Sequence, residues 1–383
     1  MKTYDVLISG AGPAGSLAAY HLASAGWAVL LLDKAQFPRQ KVCGGGLTEH
    51  GRRQIPFDIT PLIHQTITWG YLGFRGRKVC TIHDEQPIAR LIDRSSFDDF
   101  LRQQAVSRGA ECHQGERVTG ITQTSERVTI QTDQNAYEAR FAIGADGVHS
   151  LIAKQLGLLP QRTTSLATEA HLALPANRQE TLTDGITFDF GTLPWGYGWV
   201  FPKRDHLNVG VFRNWPGTRT NRNQLLRFIR QHPGLDESQI LDIRAYPGPT
   251  GGALGPRHRG RVLLAGDAAL LADPWLGEGL TYALSSGRIA AEALLGTNND
   301  DEPNLSIYSN RIEKEILTEF RTARKMAVLV SSFYGLNVQF LKRSTTLQQV
   351  IIDLLRGERS YTDIWNDLSS HIPSTLHKII AGK

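Results

Sequence analysis

The sequence predicts an α/β fold: a Rossmann-like nucleotide-binding domain interrupted by a β-rich domain, followed by a helical C-terminal region. Two runs predict the nucleotide-binding part. The apolar stretch Tyr4-Asp5-Val6-Leu7-Ile8 passes into Gly10-Ala11-Gly12-Pro13-Ala14-Gly15, which opens a helical pattern ending near Gly26. Gly10 permits the tight turn, Gly12 lets the backbone approach a pyrophosphate, and Gly15 lets helix and strand pack. Phosphate charge then meets unsatisfied N–H groups at the helix N-terminus. The next strand, Ala28-Val29-Leu30-Leu31-Leu32, ends at Asp33. A carboxylate about twenty residues beyond the turn can accept from both ribose hydroxyls of an adenosine. This motif does not by itself separate NAD from FAD.

After this first βαβ unit the simple alternation lapses. Thr66 to Arg90 holds strand-like pieces such as Thr68-Trp69-Gly70-Tyr71-Leu72-Gly73-Phe74, and Arg94 to Arg108 reads as a helix with Phe97, Leu101 and Ala105 at helical spacing. Arg140-Phe141-Ala142-Ile143 is a strand leading into Gly144-Ala145-Asp146-Gly147. Leu166 to Tyr246 is strand-rich, with turn residues between the strands, and Gly248 to Gly255 reads as a loop returning to the sheet. Val262-Leu263-Leu264-Ala265 is a last buried strand running into Gly266-Asp267 and a helix. From Asn304 the chain is mainly helical, and Asn298-Asn299-Asp300-Asp301-Glu302 reads as an exposed loop. These runs divide the chain into a discontinuous nucleotide-binding domain (1–65, 91–165 and 253–303), a β-rich substrate domain (66–90 and 166–252) and a helical region (304–383).

Composition excludes several functions. At 383 residues and 41% hydrophobic content the chain can build two packed layers or domains. Its three cysteines, Cys43, Cys80 and Cys112, show neither C-x-x-C pairing nor metal-ligand spacing, so no metal is expected and a reducing, cytoplasmic compartment fits. The start runs directly into the first strand and leaves no room for a signal peptide. No run reaches the roughly 18 apolar residues of a membrane span. A net charge of +5 permits contact with anionic lipid or a diphosphate. With no zinc finger, aromatic RNA-binding signature or dense basic arm, it argues against a nucleic-acid partner. Nor is there a G-x-S-x-G elbow, an H-E-x-x-H pair or a P-loop for hydrolase, zinc-protease or NTPase chemistry.

Three motifs carry a resemblance when taken together. Gly10-x-Gly12-x-x-Gly15, Ala145-Asp146-Gly147-x-x-Ser150 and Gly266-Asp267-Ala268-Ala269 stand in the order and context of the FAD-dependent oxidoreductases with the p-hydroxybenzoate hydroxylase type of fold. Within that group the chain resembles the geranylgeranyl reductase family over essentially its whole length. The pieces that resemble it are Phe37-Pro38-Arg39-Gln40-Lys41-Val42-Cys43-Gly44-Gly45-Gly46-Leu47, Arg94-x-x-Phe97-Asp98-x-x-Leu101, Tyr197-x-Trp199-x-Phe201-Pro202-Lys203 and Asp273-Pro274-x-x-Gly277-Glu278-Gly279. The resemblance implies FAD as cofactor, reduced by an external donor such as NADPH or a reduced ferredoxin. It places Asp267 on the ribityl chain and aims the helix that begins near Gly277, Gly279 and Leu280 at the flavin pyrimidine edge, where a helix N-terminus favours negative charge. It further implies Gly10, Gly12, Pro13, Ala14, Gly15, Asp33, Lys34, Cys43, Gly44, Gly45, Arg94, Val118, Asp146 and Gly266 as cofactor-binding. Asp146 reads equally well as an ordinary turn acid. Two departures stand out: Asp33 occupies a position where Glu is commoner, and Ala153-Lys154 follow Ser150 where an Arg is often found nearby.

The aromatic segment can be read without the family. Trp195, Tyr197, Trp199 and Phe201 recur every second residue, so on a strand they share one face, with Gly196, Gly198 and Val200 on the other, a wall backed by almost no bulk. Such a wall suits a channel for a long apolar chain, or simply the core face of a sheet. Cys43 sits in a glycine loop that, in related reductases, lies at the isoalloxazine. A thiol, ordinarily of pKa about 8.5, is mainly protonated at neutral pH and can give a proton, while cysteine is also simply small. Reducing an isolated trisubstituted alkene requires hydride delivery to one carbon and protonation of the other, through a transition state with carbocation character. Faces such as Tyr197 and Trp199 can stabilise that charge, and an apolar pocket excludes water. Cys43, Tyr197 and a bound water all stand as proton donors.

Arg213, Arg219, Arg222, Arg227 and Arg230 read either as a diphosphate grip or as a solvated face. The stretch from Arg311 to Phe340 mixes Arg321, Arg324 and Lys325 with Met326, Val328 and Leu329, and reads either as a surface resting on the inner face of a membrane or as packing against the body. The sequence therefore predicts an FAD-dependent reductase of double bonds in a prenyl-chain or lipid substrate, cytoplasmic or peripheral to the membrane. The rivals are a flavin-dependent aromatic monooxygenase using NAD(P)H and oxygen, and a non-redox cyclase or isomerase that uses reduced flavin.

Overall fold

In the computed structural model, residues 3–159, 164–174, 185–213, 215, 217–249, 251, 253–297, 304–332 and 334–370 are described. The expected Asn298–Glu302 loop lies outside them. The glycine turn joins β1 (Tyr4–Ser9) to α1 (Pro13–Ser24), and the chain returns through β2 (Val29–Asp33). β2 and β11 (Ala136–Gly144) flank β1, and all three run parallel. β8 (Glu111–Gln114) extends the parallel row beyond β2, and β18 (Val262–Leu264) extends it beyond β11. An antiparallel edge strand, β17 (His258–Arg259), and a hairpin of β9 (Val118–Gln123) and β10 (Val128–Thr132) complete this eight-stranded sheet. Parallel strands are covered on both faces, which is why Val6-Leu7-Ile8 and Leu30-Leu31-Leu32 are continuous apolar runs with almost no exposure. The chain leaves β1 toward β2 on one side and meets β11 on the other, the switch point where open α/β sheets bind ligands.

The helix read at Arg94–Arg108 is α3 (Arg94–Ser107), N-capped by the Asp93 carboxylate and burying Phe97, Leu101 and Ala105. The strand-like segment around Thr66–Arg90 divides between two sheets. β4 (Ile63–Ile67) and β7 (Ala89–Ile92) pair with β3 (Gly46–Thr48) in a small sheet. β5 (Trp69–Phe74) and β6 (Arg77–His83) instead form one edge of a seven-stranded sheet. The rest of that sheet is β13 (Ile186–Phe190), β14 (Gly196–Pro202), β15 (His206–Arg213), β12 (Thr164–Ala173) and β16 (Ile240–Pro249).

The period-2 pattern holds for three of its four aromatics. Tyr197, Trp199 and Phe201 lie on one face of β14, whereas Trp195 precedes the strand with φ +55° and packs its ring on Trp215. The opposite face does not lack bulk, because α5 (Arg222–Gln231) supplies it from elsewhere in the chain. Phe228 of α5 lies against Gly198 and joins Val200, Val209 and Val211 in a separate core. The same helix explains the arginine cluster: Leu225, Phe228 and Ile229 face inward, and Arg230 pairs with Glu237.

The C-terminal part is helical through α8 (Thr318–Ser332), α9 (Tyr334–Arg343), α10 (Thr345–Arg356) and α11 (Tyr361–Ser370). One face of α8 packs on the body through Phe320, Ala323 and Met326, while Val328 and Phe340 remain exposed. Ile352 of α10 seats against Leu72, Ile82 and Ile88, and Tyr361 donates to the buried Asp273 carboxylate at 2.6 Å. Among the described residues no helix is long and apolar enough to cross a membrane.

Phe228 has no exposed surface and supports β14 from behind. Phe228→Ala is expected to cost about 3–5 kcal/mol, read as a lower urea midpoint at unchanged m-value.

Candidate functional site

A cavity of about 1580 Å³ runs from the switch point, under the seven-stranded sheet, to the C-terminal helices. That exceeds the roughly 300–1,000 Å³ of a typical single-ligand pocket, so it has room for a cofactor and a substrate. The structure brings to it Gly10, Gly12, Pro13, Ala14, Asp33, Lys34, Cys43, Gly44, Gly45, Arg94, Val118, Asp146, Tyr197, Trp199, Gly266, Asp267, Gly277, Gly279 and Leu280. Gly15 is placed differently. It lies beneath the turn, where a Cβ would collide with the Gly10 carbonyl, so it packs the helix and does not face the cavity.

At the nucleotide end, Gly10 holds φ +103° with its Cα against the Ala145 carbonyl, an approach closed to any side chain. Asp33 braces this turn from β2: its carboxylate accepts Ala11 N–H at 2.8 Å and Ala35 N–H at 2.9 Å. A carboxylate has about four acceptor sites, so two remain for ribose hydroxyls. Asp146 accepts Leu151 N–H at 2.8 Å and so anchors the start of α4 (Leu151–Gln155), as a turn acid does, while its buried Oδ1 has no hydrogen-bond partner among the described residues. α1 and α6 (Leu280–Leu295) begin at Gly12 and Gly279, neither of which provides a side-chain cap. Two uncapped helix N-termini therefore face one cavity and favour negative charge there. This arrangement fits FAD, with Gly12 and α1 toward the pyrophosphate and α6 toward the flavin ring.

Between the two ends lies the loop before β3. The Cys43 N–H donates to Glu169 Oε1 at 3.2 Å, and its Sγ accepts Gly45 N–H at 3.4 Å with the Arg94 charge nearby. Arg94 is itself gripped by Asp98 through two bonds of 2.8 and 2.7 Å, and Arg39 approaches the same carboxylate at 3.2 Å. Beside them Lys41 places its ammonium 2.8 Å from the centre of the Tyr246 ring, and the Tyr246 hydroxyl donates to Asp267 at 3.3 Å. Burial pulls the Lys41 amine down to about 8, partly opposed by Asp267.

Beyond Cys43 the cavity becomes apolar. Phe188, Phe190, Tyr197, Trp199, Phe201 and Phe212 form an aromatic wall across β13, β14 and β15. Met326, Leu329, Val350, Ile351 and Leu354 of α8 and α10 also line it. Tyr197 donates its hydroxyl to the Leu276 carbonyl, and burial beside Asp273 and Glu278 pushes the phenol well above its usual range. Its hydroxyl proton thus has an acceptor within the protein, and its ring face lines the cavity. Trp199 Nε1–H donates to Asn208 Oδ1 at 2.7 Å, and the indole lies flat across Gly210, where no side chain obstructs it. Arg213, Arg219, Arg222, Arg227 and Arg230 do not line the cavity.

Glu169, Asn208, Lys203, Tyr246 and Glu278 were not singled out as functional residues from the sequence. Lys203 and Glu278 stand inside quoted motifs, a usable signal, whereas Glu169 and Asn208 become neighbours only through strand pairing. Glu278 accepts from Thr48 at 2.8 Å and from Thr281, and burial pushes it up to about 7.

Two outcomes follow from this geometry. Asp33→Ala removes an ionised acceptor and strands two backbone donors, so FAD affinity measured by fluorescence titration is expected to fall about tenfold or more. A carboxyl with its folded pKa raised stabilises the fold fully below the unfolded pKa, and that contribution is lost as pH rises through the folded value. Wild-type Tm is therefore expected to fall relative to Glu278→Gln between about pH 4.5 and about pH 7, and the difference to level off above that.

The comparisons with known proteins agree with this site. An FAD binding domain model matches residues 60–183. The geranylgeranyl diphosphate reductase of Rhodobacter capsulatus is 31% identical over 84% of this chain and 83% of its own length. The digeranylgeranylglycerophospholipid reductase 1 of Methanopyrus kandleri is 29% identical over 94% and 99% respectively. A geranylgeranyl bacteriochlorophyll reductase-like protein of Thermoplasma acidophilum superposes with a TM-score of 0.77 at 25% identity, covering 97% of this chain and all of that one. With the cradle, the aromatic arm and a relative above 30% identity over most of both lengths, the chain belongs to the geranylgeranyl reductase family of FAD-dependent oxidoreductases.

Proposed function

We propose that the protein reduces carbon–carbon double bonds in a prenyl chain of the geranylgeranyl type. The observation that carries this reading is the meeting, at Cys43, of a dinucleotide cradle with an arm lined by aromatic and aliphatic side chains. The names of the two relatives, both prenyl-chain reductases, support it. Bound FAD, reduced by an external donor such as NADPH or a reduced ferredoxin, supplies hydride. The chain's own residues do the rest. The apolar arm aligns the prenyl chain and excludes water that would trap a cationic carbon. The Trp199 and Tyr197 faces lie where positive charge develops, and cation–π attraction strengthens when desolvated. Cys43 gives the proton to the carbon that does not take hydride. The thiolate left behind would have the Gly45 N–H as a donor already in place and the positive charge of Arg94 nearby. The substrate would come from a cytoplasmic or membrane-surface pool, the protein acting peripherally.

The test is anaerobic single-turnover reoxidation of reduced enzyme by a geranylgeranyl substrate, normalised to bound FAD. Wild type is expected to reoxidise stoichiometrically with a saturated product. An oxygenated aromatic product with no prenyl turnover would select the monooxygenase instead. Cys43→Ala and Cys43→Ser are both expected to lose about 10² to 10⁴ in rate, the usual worth of a general acid. Near-wild-type turnover by Cys43→Ala would leave the residue only a steric role.

A further inference from the structure

The Cys43 loop joins β7 through its backbone, the Ile92 N–H donating to the Gly45 carbonyl at 2.9 Å, but has few side chains of its own to hold it against the sheet. Gly44, Gly45 and Gly46 follow the cysteine, and glycine has the most backbone freedom to lose on ordering. Gly45 sits at φ +68°, and a Cβ on Gly44 would lie 3.1 Å from both Phe201 and the Trp199 indole nitrogen. The loop is thus pressed against the aromatic wall with no side chains to anchor it there. Two charged residues of the seven-stranded sheet and its margin do so from outside. Glu169 of β12 takes the Cys43 N–H at 3.2 Å. Lys203, just after β14, donates to the Gly45 carbonyl at 3.2 Å and to the Ile92 carbonyl at 2.9 Å, tying the loop to β7 as well.

Neither charge is at the surface: Glu169 is 3% exposed and Lys203 8%. Burying an ion is costly unless good hydrogen bonds repay it. Here those bonds are made with loop backbone on either side of the thiol, while the two charges attract each other across it. The carboxylate also lies near the Asn208 side chain, whose Oδ1 receives the Trp199 Nε1–H at 2.7 Å. Strand register makes this possible, since Glu169, Gly210 and Trp199 form one cross-strand row and Gly210 leaves the space that the indole covers. The buried carboxylate therefore holds the thiol loop from the same cross-strand row that carries the Trp199 indole.

We infer that Glu169 and Lys203 are positioning residues, a two-sided clamp that fixes the Cys43 loop against the Trp199 face and so sets the gap in which a double bond meets the thiol. This rests on the reductase reading above. Glu169 has no role in the chemistry itself: it acts through Cys43.

Two measurements on the FAD-loaded protein test the clamp. In the wild type, hydrogen exchange should show the Cys43 and Gly45 amides protected, and exchange at unprotected rates would overturn the inference at once. The second is the pH-dependent rate of Cys43 alkylation by iodoacetamide, followed by peptide mass spectrometry. At high pH, where the thiol is ionised in every variant, Glu169→Ala and Lys203→Met are each expected to alkylate about tenfold faster, the worth of one charged hydrogen bond. Glu169→Gln keeps an oxygen acceptor and should stay within about twofold of wild type. Wild-type rates in both Glu169→Ala and Lys203→Met, or equal change in the Gln and Ala variants, would overturn the clamp. Should Glu169→Ala not fold, Lys203→Met and the wild-type exchange still decide. A clamp confirmed in a protein that reduces no prenyl chain would sink the reductase reading alone, and prenyl reduction with a freely exchanging loop would sink the clamp alone.

Discussion

The structure depends on how closely three backbone segments approach one another at the ends of the parallel strands. The β1–α1 turn lies against the Ala145 carbonyl at the end of β11, with Asp33 bracing it from β2. That contact aims the start of α1 into the switch-point crevice, and Gly266 tucks against Ala14 from the β18 side. On α6, Gly287 permits the same closeness, since a Cβ there would collide with the Ala14 carbonyl. The dipole of α1 reaches a ligand only because nothing larger than glycine stands at these positions.

From that cradle the cavity passes without a break into the apolar arm, and the change in chemistry along it is abrupt. On one side of Cys43 stand Arg39, Lys41, Arg94 and Asp267; on the other, six aromatic rings and the inner faces of α8 and α10. Charges buried in the junction make hydrogen bonds that shape loops: Arg94 to Asp98, Lys203 to two carbonyls and Glu169 to the Cys43 N–H. Asp273 is treated likewise, accepting Trp275 N–H, Leu276 N–H and the Tyr361 hydroxyl, which pins the loop before α6 to the C-terminal helices. Ordered in this way, the junction separates a polar end of the cavity from an apolar one.

Local signals were strong wherever a residue's role is played out among near neighbours in sequence. The strand–glycine–helix unit, Asp33 at the end of β2, the apolar periodicity of α3 and the alternation in β14 all depend on backbone geometry within a few residues, so they were legible. The exceptions are instructive. Trp195 fits the alternation but lies outside the strand, because the chain turns with positive φ just before β14. Gly198 suggested an empty reverse face, yet Phe228, thirty residues on, fills it. Tyr197 points its hydroxyl at the Leu276 carbonyl, a partner that local spacing does not show.

By itself the sequence determined the class of fold, the dinucleotide cradle, the order of its motifs and the aromatic strand, because glycine conformations, helix caps and side-chain alternation are short-range constraints. Only the tertiary structure decided which side chains meet across them. Glu169, Asn208 and Trp199 sit on three different strands and converge through register. Lys203 reaches a loop about 160 residues earlier. The arm itself is closed by helices from the other end of the chain. Hydrogen bonds and apolar contacts of that kind carry no signature in local spacing, since they arise from packing that brings distant segments within a few ångströms.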